Sequence, residues 1–344
     1  MRHYGTFPLL NKEGTNTYVI AEAEINHNGD LETALKMVEV AKKAGAQAIK
    51  FQYILAEEIA TPNSSYHSLF KKVELTHKEF EQIFDRSQVI GIDCFVTVPG
   101  LGTLERVLDL KPPVLKIGST NLTNIPLLEK VGATGIPVLL STGLGTLGEI
   151  ETALNALNAP HTPVGIFHCT VQYPACMSDI NLRAINTLQT AFPINPVGYS
   201  DHTEGEWAAI AAVTLGACMI EKHFTLDRSQ DGPDHAFSTD PEQFTRMVRA
   251  IRQTEAALGN GIKKPAPAEA SMIRSARRYL VAARDIRRGT TLNGDNLTCR
   301  RIPPDREGVE PAMLQYMVGW KAPKDYSVGE PLTWGDFKKA SINS

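Results

Sequence analysis

The sequence predicts an α/β fold: a TIM (β/α)8 barrel followed by a small, mostly β module. Three observations lead there. From residue 17 to about 260, short β-type runs alternate strictly with helical patterns, eight of each. Such alternation builds right-handed βαβ units around a parallel sheet. Eight units in roughly 250 residues is the size of such a barrel. The first βα turn, INHNGD, lacks the spaced glycines of a dinucleotide fingerprint, which disfavours the rival open, doubly wound sheet.

TYVIAEAEI is the first strand. LETALKMVEVAKKAGA follows with apolar residues at helical spacing and ends in small residues. AIKFQ precedes a helix around HKEFEQIFDRSQVIG, and CFVTVP precedes TLERVLDL. VLKIGS leads into IPLLEKVGATG, PVLLST into LGEIETALNAL, and VGIFHCT into NLRAINTLQTAF. PVGYSDH leads into EWAAIAAVTLGA, CMIEKHFT is the eighth strand, and PEQFTRMVRAIRQTEAALG closes the set. After Gly259 the texture changes. NGIKKPAPAEASMI, rich in Pro, Ala and Lys, reads as a linker over 261–275. Residues 276–344 carry short β runs and Gly/Asp/Asn/Pro turns. A unit this small is expected to lean on the barrel or on a partner subunit. The domains are thus an N-terminal extension 1–16, a barrel 17–260, a linker 261–275 and a module 276–344.

Composition narrows the function. The net charge of −3 over 344 residues gives no reason to expect nucleic acid or an anionic membrane as partner. No apolar run is long enough to span a bilayer, and MRHYGTFPLLNKEGTN lacks the apolar core of a signal peptide. The five cysteines are scattered, odd in number and without CxxC spacing, so neither a disulfide framework nor a structural zinc site is expected. A reducing cytoplasm is the simplest setting.

In such barrels chemistry sits at the C-terminal ends of the strands. There the runs end in Glu22 and Glu24, Lys50 and Gln52, Thr97, Lys116 and Ser119, Ser141 and Thr142, His168 and Thr170, Ser200 to His202, and Glu221 to His223. CMIEKHFT poses the question sharply, with three ionisable groups in a row inside a buried strand. Alternation places Glu221 and His223 on one face and Lys222 on the other. A single polar strand end is as often a turn former or a bonded core group, and His168 reads as the latter. Eight polar ends left unpaired would cost a few kcal/mol each, roughly, so a shared polar ligand is expected. Lysines and hydroxyls suggest a phosphate and a carboxylate. His202 and His223, on adjacent strands, suggest a divalent metal.

AEAEINHNGD, IKFQ, LKIGS, LLSTG, HCTVQYP, YSDHT, EKHFTLDR and GPD, in that order, resemble the sialic acid synthase family, enzymes that make nine-carbon 2-keto sugar acids. RDIRRGTTLNGDNLTCRR resembles that family's C-terminal module, a small β fold similar to type III antifreeze proteins. The resemblance implies condensation of phosphoenolpyruvate with an open-chain N-acylated hexosamine, with release of phosphate. It implies manganese or magnesium as cofactor. It also implies a homodimer whose small modules are exchanged over the partner's active site. By position, His202 and His223 match metal ligands. Lys50, Lys116, Ser119, Ser141 and Ser200 match residues that grip phosphoenolpyruvate, and Thr97 is a further contact. Glu22, Gln52, Tyr173 and Asp234 match residues around the metal's water or the sugar, with Glu22 a candidate base. Arg301 matches the arginine that a partner's module supplies to the N-acyl group.

The chain also departs from the pattern. Where the family carries an acid after the strand-four serine, GSTN puts Asn121; where it has Gly or Ser two residues after Glu22, this chain has Glu24. The expectation is that the carboxylate has moved from strand four to strand one. The alternative is that Glu24 only pairs with a lysine such as Lys50. TLDRSQDGPDHAFS is closer to synthases of bacterial di-N-acylated sugars, favouring a legionaminate- or pseudaminate-type product. Two rival functions remain. A synthase of shorter 3-deoxy ulosonic acids would need arginines for a second phosphate, which the strand ends lack. A non-catalytic anionic-sugar-binding barrel would have no use for both histidines.

Overall fold

The computed structural model describes residues 16–157 and 161–340. Of the expected N-terminal extension, 1–16, only Asn16 falls among them. The chain divides after Asn260 into two compact units.

The first unit is a closed parallel barrel of β1 (Tyr18–Glu24), β2 (Ala48–Gln52), β3 (Asp93–Thr97), β4 (Leu115–Ile117), β5 (Val138–Ser141), β6 (Val164–Cys169), β7 (Val197–Asp201) and β8 (Met219–His223), with β8 pairing back onto β1. Between the strands run α1 (Leu31–Lys43), α2 (Ala56–Ile59), α3 (Ser65–Val73), α4 (His77–Ile90), α5 (Leu101–Asp109), α6 (Ile125–Ala133), α7 (Leu147–Ala156), α8 (Ala184–Ala191) and α9 (Trp207–Thr214); α10 (Pro241–Leu258) closes the ring. Local signals set the helix ends. Thr76 and Glu79 form a capping box at the start of α4, and Gly91, at φ 72°, ends it in the left-handed region. Asp240 and Gln243 do the same for α10, with Pro241 at its first position. Two short helices, α2 and α3, occupy the β2–α4 connection, where the sequence pattern predicts none.

Strand alternation sorts every barrel side chain into one of two layers. Outward residues such as Val19, Ala21, Ile49, Val96, Leu140 and Ile166 join the apolar layer under the helices. Inward residues change character along each strand. Near the strand starts Ile20, Ala48, Phe95, Val114, Leu139, Phe167 and Met219 form an apolar plug. Two residues further on stand Glu22, Lys50, Thr97, Lys116, Ser141, Cys169 and Glu221. Gly198 lets the plug close: a Cβ there would lie 2.7 Å from Met219 Cβ and 2.8 Å from Phe167 Cε1. The plug is therefore a floor, and the polar layer above it is the candidate site.

The second unit has its own core, in which Leu280, Ile286, Leu292, Leu297, Val309, Tyr326 and Leu332 are buried. Its sheet is a two-stranded antiparallel pair, β9 (Tyr279–Ala282) and β10 (Leu297–Arg300), extended by isolated bridges such as Ile286 to Tyr326. Short helices α11 (Ala270–Ala276), α12 (Leu314–Met317) and α13 (Trp334–Ala340) accompany it, the first overlapping the expected linker 261–275. No helix among the described residues is long and apolar enough to cross a membrane.

Candidate active site

Glu221 is the hub of the polar layer. Lys116 Nζ donates to its Oε1 at 3.0 Å and Ser200 Oγ to the same oxygen at 2.9 Å, while Lys50 Nζ lies 3.6 Å from Oε2. Lys50 also forms an ion pair with Glu22 and donates to Thr97 Oγ1 at 2.9 Å. Thus Lys50, Lys116, Thr97 and Ser200 meet in one buried network with Glu22 and Glu221. These groups pair with one another as well as being placed to meet a shared ligand. Carboxylates from β1 and β8 already pair the lysines, because buried charge without a partner is costly. Residue roles assigned one at a time overlook Glu221. Its signal was its alternation with His223.

Glu24, two residues on from Glu22, stands at an irregularity of the strand. Along β1 the register slips, so that Glu22 faces Lys50 but Glu24 faces Phe51, and Glu24 sits at φ 45°. Its amide donates to Glu22 Oε1 at 2.7 Å. The ion pairs of Lys50 among the described residues are with Glu22 and Glu221, not Glu24. Asn121 is engaged at both ends. Its Nδ2 donates to the Pro99 carbonyl at 3.0 Å, and its Oδ1 accepts from Asn124 Nδ2 at 2.9 Å.

Burial and like charge leave a surplus of acid. Burial pushes Glu22 up to about 8, against the pull of Lys50. Burial, with Asp234 adding, raises Glu24 to about 7; burial, with Glu22 adding, raises Asp234 to about 6. Burial alone would lift Glu221 too, but Lys116 and Lys50 bring it down to about 2. Burial would lower Lys50, yet Glu22, Glu221 and Glu24 hold it above its ordinary value. Burial lowers Lys116, and Lys50 adds to that fall.

His202 and His223 stand beside this layer, ring centroids 5.3 Å apart. His202 Nδ1 is 2.7 Å from the Thr170 carbonyl oxygen, to which it donates, so Nε2 carries the lone pair, with Ser200 Oγ 3.5 Å away. His223 Nδ1 is buried without a hydrogen-bond partner among the described residues. Burial brings His202 down to about 4 and, with His202 beside it, holds His223 well below the usual imidazole range, so both rings are neutral as metal ligation requires. Two neutral imidazoles this close offer two nitrogen ligands of the kind a divalent cation takes. Among the described residues no group of three or more His, Cys, Asp or Glu is arranged to hold a metal; a cation here would complete its shell from water or substrate.

The other predicted residues fall as follows. Ser119 lies past the end of β4, in a 3-10 turn Ser119–Asn121, with its Oγ 3.0 Å from Cys169 Sγ and accepting from the Gly143 amide at 3.0 Å. Ser141 is buried at the end of β5. Gln52 Oε1 is buried without a partner among the described residues. Tyr173 packs on His202 at 4.3 Å and, with Phe237, edges His223. His168 faces outward and its Nε2 bonds the Ile180 carbonyl at 2.7 Å, a core histidine as read. Arg301 belongs to the second unit, exposed beside a cleft of about 400 Å³ that Arg306 and Glu330 also line.

The NeuB family matches residues 37–263 and the SAF domain residues 277–338. Uncharacterized protein MJ1065 of Methanocaldococcus jannaschii is 43% identical over 94% of this chain and 95% of its own length. N,N'-diacetyllegionaminic acid synthase of Campylobacter jejuni is 37% identical over 91% of this chain and 98% of its own. The crystal structure of an N-acetylneuraminic acid synthetase from Leptospira borgpetersenii, in complex with citrate, superposes with a TM-score of 0.72 at 37% identity, covering 75% of this chain and 90% of that one.

Proposed function

The chain belongs to the NeuB family, and on that footing we propose that it condenses phosphoenolpyruvate with an open-chain N-acylated hexosamine to give a nonulosonic acid and phosphate. The observation that carries this reading is the convergence of Lys50, Lys116 and Ser200 on Glu221, beside two neutral histidines. The acceptor is N-acetylmannosamine or a di-N-acylated 6-deoxy analogue. Likeness to a legionaminic acid synthase supports the second.

Lys50, Lys116, Ser119, Ser141 and Ser200 would hold the trianionic donor through charge-assisted hydrogen bonds. C3 of phosphoenolpyruvate attacks the aldehyde carbon, forming the C–C bond while the C=O π pair moves to oxygen, which takes a proton to become a hydroxyl, and leaving positive character at C2. Water adds at C2 and loses a proton to a nearby carboxylate, for which Glu22 is the candidate. The C2–O bond then breaks and phosphate departs. Glu22, Glu24 and Asp234, lifted to about 8, 7 and 6, hold and release protons near neutrality. His202 and His223 would hold manganese or magnesium, which supplies Lewis acidity at the aldehyde oxygen. Gln52, with a buried free oxygen, and Tyr173 suit the sugar side. Glu24 provides the sugar-facing carboxylate that Asn121 lacks. A homodimer in which Arg301 of one protomer serves the other's acceptor completes the reading.

The test is phosphate release from phosphoenolpyruvate by the purified protein with Mn²⁺ and a panel of N-acylated hexosamines. Release with one sugar class supports the reading. Absence of release with every sugar would leave a binding barrel.

A further inference from the structure

Lys222 is the odd member of β8. Its side chain leaves the barrel interior and enters the layer under the helices, between buried Ile220 and Phe224. An ammonium group there needs partners, and it has two: Asp201 Oδ2 at 2.8 Å and the Thr203 carbonyl oxygen at 2.5 Å. Asp201 Oδ1 accepts in turn from the Thr203 amide at 2.9 Å and the Thr203 hydroxyl at 2.8 Å. All three residues are 1% exposed. They close a ring, and the residue between Asp201 and Thr203 in the chain is His202.

The ring sits where the sheet stops helping. β7 ends at Asp201, so His202 is the first residue that no strand ladder holds, whereas His223 still lies in β8, opposite Glu22 of β1. On the other side the His202 carbonyl accepts from the Ala175 amide at 2.8 Å, and Nδ1 bonds the Thr170 carbonyl at 2.7 Å. With the backbone fixed from outside and Nδ1 fixed from inside, the direction of Nε2 is set. A buried ion pair is weak evidence for stability, since apolar replacements of like volume often serve as well. Its retention here has a geometric use.

We propose that the ring of Asp201, Lys222 and Thr203 positions His202, presenting its imidazole toward His223 for a divalent cation. This rests on the metal reading above, and the experiment separates the two. Mn²⁺ is titrated calorimetrically into the full-length protein without substrate, and the melting temperature is recorded alongside. Asp201→Leu/Lys222→Met removes both charges together and is expected to weaken Mn²⁺ binding about 10- to 100-fold, the range for lost outer-shell support, with melting changed by a few degrees. Thr203→Val deletes one hydroxyl while the backbone links stay. A loss of about 2- to 10-fold is expected, and this variant decides the matter should the double variant not fold. His202→Ala is the control. If it binds Mn²⁺ like the wild type, the metal reading falls. If it is impaired while Thr203→Val and the double variant bind normally, the positioning role alone is refuted.

Discussion

Glu24→Gly is the most informative single change in the barrel. Glu24 sits at φ 45°, a conformation that costs a residue with a Cβ about 1–2 kcal/mol. Glycine removes that cost but loses about 0.5–1 kcal/mol more backbone entropy on folding. The two oppose, so the variant's stability should stay within about 1 kcal/mol of wild type, or rise as a buried acid is removed. Activity should behave differently. A hydrogen bond to a charged group contributes about 1.5–3 kcal/mol, so kcat/KM for the sugar should fall about 10- to 150-fold. The KM for phosphoenolpyruvate should not move, because Lys50 and Lys116 hold their places through Glu22 and Glu221. Adding Asn121→Glu should recover part of the loss. Recovery is partial because a glutamate cannot make the donation that Asn121 Nδ2 makes to the Pro99 carbonyl at 3.0 Å. The assay is phosphate release with each substrate varied in turn, with thermal melting as control. A double variant no better than Glu24→Gly, or a parallel rise in the KM for phosphoenolpyruvate, would refute the relocation of the acid to β1.

Chelation should abolish phosphate release and Mn²⁺ should restore it; turnover indifferent to chelator removes His202 and His223 from the metal role. Glu221→Leu strands Lys116 in a buried site and should cost about 3–5 kcal/mol in denaturant titration, the usual result of breaking a buried pair from one side. Glu221→Gln keeps an acceptor for Ser200 and Lys116 and should cost less; equal losses would mean that charge is not what Lys116 needs. Arg301→Ala should raise the KM for the sugar by about tenfold, the effect of one lost charged hydrogen bond, and leave that for phosphoenolpyruvate unchanged. An equal rise in both would assign Arg301 to folding of the second unit.

Much of this was legible because a barrel strand writes its two faces in alternate residues. The polar ends of the strands showed in the sequence, and so did the outward course of Lys222 and the core role of His168. What stayed hidden was pairing. A single sequence gives the face of Glu221 but not that Lys116, Ser200 and Lys50 converge on it from three other strands. The bulge at Glu24 was hidden as well. A regular period of two puts Glu22 and Glu24 on one face, but the register slip between them depends on a left-handed residue that nothing in AEAEIN announces. The sequence shows Asn121 in place of an acid but not that its amide bridges Pro99 and Asn124, contacts that only the folded loops create.

The β7–β8 register joins fold and site in one device. Ser200 lies opposite Glu221 and Asp201 opposite Lys222. The first rung faces inward and bonds at 2.9 Å; the second faces outward and bonds at 2.8 Å. A slip of one residue in β8 would exchange its faces. Glu221 and His223 would enter the apolar layer, and Lys222 would enter the mouth without Asp201. Glu221 would lie buried in the apolar layer without its lysines, and Asp201 would lose Lys222, a penalty of several kcal/mol. The successive rungs therefore select one register for both reasons at once. The charges that make CMIEKHFT look wrong for an interior strand fix which of its faces becomes the site.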